Sequence, residues 1–89
     1  MTEREVEIIN RLGLHARAAA KLVHKAGSFR SHVELVLDGE SVDAKSILGI
    51  LMLGAAQGTK LTIRCAGEDE EEALEAVEGL FAARFDEGA

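Results

Sequence analysis

The stretch Gly13-Leu14-His15-Ala16-Arg17 places a titratable imidazole and a guanidinium at the start of a run with helical periodicity. Ala19, Leu22, Val23 and Ala26 recur at i, i+3, i+4 and i+7, which predicts a helix from Ala16 with one stripe against a core. His15 then falls at or beside the helix N-terminus. The first N–H groups of a helix have no intrahelical partner and lie at the positive end of its macrodipole. An anion formed on His15 would meet donors already in place, namely the amides of Ala16, Arg17 and Ala18.

Which anion is narrowed by elimination. His15, His24 and His32 are nine and eight positions apart and there is no cysteine pair, so the spacing does not suit a metal site and no metal is expected. No G-x-S-x-G or comparable nucleophile setting is present, which argues against a hydrolytic triad. What remains is His15 as the nucleophile: imidazole titrates near neutrality and can accept a phosphoryl group covalently, whose charge the amides and Arg17 would neutralise. On position alone, an imidazole that merely occupies a helix start is the plain alternative.

The elements that must position this stretch come from the rest of the chain. At 89 residues it is long enough for one small domain, expected over 1–89, and 47% hydrophobic with 29% charged is ordinary for a globular protein. The longest apolar run, Ile47 to Ala56, is half what a membrane span of ~20 residues requires, and no charged-then-apolar leader opens the chain. A cytoplasmic protein with no membrane partner is expected. Cys65 is the single cysteine and reads as a small buried hydrophobe in a strand. With no Trp or Tyr, three Phe and net charge −6, the chain is poorly equipped for nucleic acid.

That net charge hides a segregation. Arg11, Arg17, Lys21, Lys25 and Arg30 form a segment of five basic residues without an acid. On a helix, Arg17, Lys21, His24 and Ser28 share a face opposite the apolar stripe, a basic flank that either steers an acidic partner to His15 or is simply a solvated helix face.

Glu3 to Ile9 alternates charged and apolar residues, as a half-wet strand does, and Asn10 to Leu14 turns. The helix runs to Gly27. His32 to Leu37 alternates again, Asp38-Gly39 is a hairpin signal, and Ser41 to Asp43 returns. A short second helix from Ser46 through Leu53 precedes a strand over Lys60 to Cys65. The last helix is predicted from about Asp69 to Phe85, with Leu74, Val77, Phe81 and Phe85 on its stripe. The run Glu68 to Glu72 reads as a capping and solubility feature, with an acidic docking site as the alternative. The fold class expected is α+β: a two-layer open-faced sandwich of βαββαβα order, with three helices on one face of a four-stranded antiparallel sheet.

The second helix, from Ser46 to Leu53, is apolar nearly all round, yet two turns at the edge of a small domain cannot bury every side. With Ile50 and Leu53 toward the sheet, Ile47, Leu48 and Leu51 form an outward patch of the kind that contacts another protein, unless the loop from Gly54 to Gly58 wraps it. Ser46 is the natural N-cap. A phosphoryl group there would add about two negative charges beside the patch.

Taken together, these motifs resemble the HPr family, the histidine-containing phosphocarriers of the bacterial phosphoenolpyruvate-dependent phosphotransferase system. The resemblance covers nearly the whole chain. It rests on Gly13-Leu14-His15-Ala16-Arg17, on Lys45-Ser46-Ile47 followed by Leu53-Gly54, and on Gln57-Gly58-Thr59. It implies that His15 accepts a phosphoryl group on Nδ1 from phosphorylated enzyme I and hands it to a IIA-type acceptor, with Arg17 assisting and no cofactor. It also implies that Ser46 is the target of an HPr kinase/phosphorylase in bacteria that have one, and that Arg17, Ile47, Leu48 and Leu51 are docking contacts; Lys21, His24 and Met52 are expected to dock beside them, on a monomer. Two positions depart from the family pattern: Ala18 stands where proline usually follows the arginine, and Leu12 where many carriers have a small polar residue. A second reading, a regulatory module whose Ser46 state controls docking to a transcriptional regulator or kinase, and a third, a small ligand-sensing domain, stand beside the carrier.

Overall fold

Alternation at Val33, Leu35 and Leu37 and again at Leu61, Ile63 and Cys65 gives two strands that each turn one apolar face to the same side. The computed structural model describes residues 1–87, so the last two positions of the domain expected over 1–89 lie outside the described residues. Its elements are β1 (Thr2–Glu7), α1 (Ala16–Gly27), β2 (His32–Leu37), β3 (Glu40–Asp43), α2 (Ile47–Met52), β4 (Lys60–Ala66) and α3 (Glu70–Ala82), followed by a short 3₁₀ turn over Arg84–Asp86. The strands form one antiparallel sheet in the order β1-β4-β2-β3. The expected α+β open-faced sandwich is the fold observed.

The hydrophobic core lies between sheet and helices. Val33, Leu35, Leu61, Ile63 and Cys65 meet Ala18, Ala19, Leu22 and Ala26 of α1, Ile50 of α2, and Leu74, Val77 and Phe81 of α3. Cys65 is fully buried, as a small hydrophobe should be, and burial raises its thiol pKa. The β2–β3 connection is the tight hairpin that its Asp-Gly pair predicts: Asp38 and Gly39 both take positive φ, 51° and 82°, the handedness that matches strand twist.

Two elements end two or more residues earlier than the sequence-based expectation. β1 spans Thr2–Glu7 rather than Glu3 to Ile9, because Ile8 bonds the loop ahead of β4 in both directions: its N–H donates to Thr59 O at 2.8 Å, and its carbonyl accepts from Gly58 N at 2.7 Å. The final helix stops at Ala82 rather than Phe85. Arg84, Phe85 and Asp86 then take left-handed φ of 55°, 53° and 61°, which reverses the chain. Each such residue costs roughly 1–2 kcal/mol. Burying Phe85 recovers ~1.5–3 kcal/mol. Its ring meets Phe81 edge-on at 4.9 Å, and its carbonyl accepts from Lys21 Nζ at 2.6 Å.

In the acidic run, Glu70, Glu71 and Glu72 do occupy the first turn of α3, and the capping expectation fails at Asp69. Asp69 occupies the N-cap of α3 but makes no capping bond. Its carboxylate crosses to the start of β2, accepting from Arg30 N at 3.0 Å, from Ser31 N at 2.9 Å and from Ser31 Oγ. The Ser31 hydroxyl, then the backbone amides, hold its pKa at about 2, below the ordinary 3.8. A carboxylate depressed in this way contributes stability above its unfolded pKa and loses it as pH falls through the folded value. Urea unfolding followed by circular dichroism at stepped pH should therefore show wild-type stability falling between about pH 4 and pH 2. Asp69→Asn should be less stable at neutral pH and should lose that part of the slope. Equal slopes in both proteins would remove Asp69 from the account.

Candidate functional site

Gly13, at φ +67°, bends the chain from the β1 exit into α1. The bend is pinned from two sides: Gly13 N donates to Asn10 O at 3.2 Å, and Leu14 N donates to Ala55 O at 3.0 Å. His15 follows as the N-cap of α1 with extended backbone (φ −81°, ψ 179°), and its carbonyl accepts from Ala19 N at 2.8 Å. Its side chain makes no capping bond to the first turn of the helix. Among the described residues the amides of Ala16, Arg17 and Ala18 have no hydrogen-bond partner. They are the donors that the sequence predicts beside His15. Ala18, in the position where the family usually has proline, is fully buried and still supplies an N–H.

The imidazole is half-buried in an open depression of about 690 Å³ whose walls include Arg11, Leu12, Arg17, Lys21 and Glu87. Arg17 is exposed and makes no hydrogen bond or ion pair among the described residues. Lys21 is tethered to the Phe85 carbonyl, so it secures the C-terminal turn as well as charging the wall. His24, on the same flank of α1, is exposed.

Two residues at this site carry no signal in the helical and strand periodicities. The Glu87 carboxylate accepts from His15 Nε2, 72 positions away in sequence. Asn10, fully buried, donates through Nδ2 to Gly13 O at 2.8 Å and to Glu87 at 3.1 Å. The hydrogen bond that Glu87 accepts from His15, and after it the one from Asn10, lower the pKa of Glu87. Asn10 could have been suspected as a turn residue. Glu87 could not, since a helix continued to Phe85 takes it elsewhere.

Ser46 is the N-cap of α2, and its Oγ accepts from Gly49 N at 3.1 Å. On α2, Ile50 is buried and Leu53 half-buried, whereas Leu48 and Met52 are 70% and 74% exposed, with Ile47 and Leu51 also outward. The patch is therefore uncovered, and the loop from Gly54 to Gly58 does not wrap it. Leu12 adds a further exposed apolar side chain beside the depression. The loop that leaves α2 touches the His15 turn, since a Cβ built on Gly13 would stand 2.6 Å from Ala55 O.

A ring nitrogen beside unpaired amides and cationic walls, in an open depression next to an apolar patch, is suited to carrying a small anionic group between larger partners rather than to enclosing a substrate. The chain matches the family described as PTS HPr component phosphorylation site over residues 2–83. It is 51% identical to the phosphocarrier protein HPr of Cupriavidus necator, over 99% of each chain. The solved structure of HPr from Thermoanaerobacter tengcongensis superposes with TM-score 0.95 at 44% identity, covering 98% of both chains. Crh of Bacillus subtilis superposes with TM-score 0.70 at 43% identity, covering 100% of this chain and 98% of that one, and is a swapped dimer in that structure. The chain belongs to the HPr family, the phosphocarriers of the phosphotransferase system. Among its described residues no helix is long and apolar enough to cross a membrane.

Proposed function

We propose that this protein accepts a phosphoryl group on His15 Nδ1 from phosphorylated enzyme I and passes it to a IIA-type acceptor in the cytoplasm. The observation that carries the reading is His15 at the N-cap of α1, followed by three amides that have no partner among the described residues, with the exposed Arg17 lining the same depression. Amides and guanidinium neutralise the phosphoryl oxygens. Ile47, Leu48, Leu51 and Met52 receive the partner, with Lys21 and His24 on the flank. Enzyme I with phosphoenolpyruvate should label the protein in an acid-labile form that His15→Ala abolishes; full labelling of that variant would sink the reading.

Regulation at Ser46 is favoured by one specific observation: the hydroxyl is half-buried at the N-cap of α2, directly beside the exposed patch. A phosphoryl group there sits on the helix N-terminus and sets negative charge against the docking surface. An HPr kinase with ATP should add an acid-stable label that Ser46→Ala loses, and a label that survives in Ser46→Ala would place the modification elsewhere.

A further inference from the structure

The left-handed turn over Arg84–Asp86 brings Glu87 back to His15, and two side chains hold it there. Lys21 Nζ fixes the Phe85 carbonyl at 2.6 Å, and Asn10 Nδ2 grips Glu87 itself at 3.1 Å. Asn10 also holds the Gly13 carbonyl, and its Oδ1 has no partner among the described residues. Its buried amide thus serves as a donor to both sides of the site, the turn that carries His15 and the carboxylate that faces it. Glu87 is only 10% exposed at its side chain.

Resting on the carrier reading above, we infer that Glu87 is a positioning residue for phosphoryl transfer: its carboxylate, held by Asn10, keeps the proton on His15 Nε2 and so presents the Nδ1 lone pair to the donor. An ionised carboxylate can only accept, so the nitrogen it faces must bear hydrogen and the other nitrogen of a neutral ring must not. The same bond fixes the plane of the imidazole.

The covalent step then needs no proton transfer. As Nδ1 attacks phosphorus, its lone pair becomes the new N–P bond, while the donor's bond to phosphorus breaks and that electron pair leaves with the donor. The ring keeps its Nε2 proton and becomes a phosphoimidazolium. Positive charge therefore develops on the group that Glu87 faces, and the carboxylate stabilises it, as a buried carboxylate does behind a catalytic histidine. On onward transfer the N–P electron pair returns to Nδ1 of a ring already protonated on Nε2, which is the better leaving group. The site divides its charges accordingly: Arg17 and the helix amides face the phosphoryl oxygens, and Glu87 faces the ring.

The test uses the full chain with ¹⁵N-histidine, as wild type, Glu87→Ala and Glu87→Gln, at about pH 8.5, where an ordinary imidazole is neutral. Nuclear magnetic resonance reports whether a bonded Nε2–H survives solvent exchange. Single-turnover labelling by phosphorylated enzyme I, across a range of enzyme I concentrations, separates the saturating rate from the half-saturating concentration. Wild type should show the Nε2–H signal. Glu87→Ala should lose it and label roughly tenfold or more slowly at saturation, with the half-saturating concentration within about twofold. Glu87→Gln keeps a neutral acceptor, so the signal should persist and the rate fall less. Should Glu87→Ala fail to fold by circular dichroism, Glu87→Gln decides, and an unchanged rate there refutes the inference. It is also overturned by an unchanged signal and rate in Glu87→Ala, or by a loss confined to the half-saturating concentration. A wild type that shows the signal but never labels refutes the carrier reading instead, because the resonance requires no phosphorylation.

Discussion

Gly13→Ala is expected to lose about 3–5 kcal/mol of stability, a large share of the ~5–15 kcal/mol that holds a domain of this kind together. Two costs add. An alanine at φ +67° pays roughly 1–2 kcal/mol for left-handed backbone. Its Cβ would also lie 2.6 Å from Ala55 O and 2.9 Å from Ala56 Cα, both backbone atoms that no rotamer change can move aside. The turn must therefore separate from the loop behind it, which breaks the 3.0 Å bond from Leu14 N to Ala55 O. The bond from Asn10 to the Gly13 carbonyl goes with it. Urea unfolding followed by circular dichroism reads the loss directly. A variant within about 1 kcal/mol of wild type would show that the turn yields easily and that glycine is not required there. Because the displaced residues lead straight into His15, labelling by enzyme I should slow even in conditions where the variant remains folded.

What was legible in the sequence is what short-range pattern encodes. The 3.6-residue recurrence of Ala19, Leu22 and Ala26 placed α1 and hence His15 at its start, and the two-residue alternation of β2 and β4 placed the core. Ser46 announced itself as a cap by standing before an apolar run, and the all-apolar α2 announced an exposed patch because two turns cannot bury every side. The end of α3 was illegible for a physical reason. Phe85 follows Phe81 at i+4, so helical periodicity continues unbroken through the point where the chain reverses. Phe85 is buried either way, and periodicity reports only burial. No glycine marks the three left-handed residues that make the reversal. Glu87 at His15 follows from that reversal and was hidden with it. Asp69 is a similar case: its partners Arg30 and Ser31 lie 39 and 38 positions away, and nothing local distinguishes a carboxylate that caps its own helix from one that reaches across to a neighbouring strand.

Leu48→Glu should separate docking from folding more cleanly than any substitution at the histidine. Leu48 is 70% exposed, so its replacement should change stability by no more than about 0.5 kcal/mol, in contrast to Gly13→Ala. The second helix is anchored through Ile50, which is fully buried, and through the Ser46 cap, and the substitution touches neither. Its effect should fall on the encounter. A partner that lays apolar surface over Ile47, Leu48 and Leu51 would have to bury a carboxylate without a counter-charge, which costs several kcal/mol if the group stays ionised and somewhat less if the partner yields. The half-saturating concentration of enzyme I in His15 labelling should therefore rise about 10- to 100-fold, with the saturating rate close to wild type. That is the reverse of the pattern expected for Glu87→Ala, in which the rate falls and the half-saturating concentration holds. The two substitutions thus assign the patch to recognition and Glu87 to the chemistry of the ring. If Leu48→Glu instead lowered the saturating rate alone, the patch would act on the transfer geometry, and the contact with enzyme I would have to lie elsewhere, with the basic flank of α1 the next surface to test.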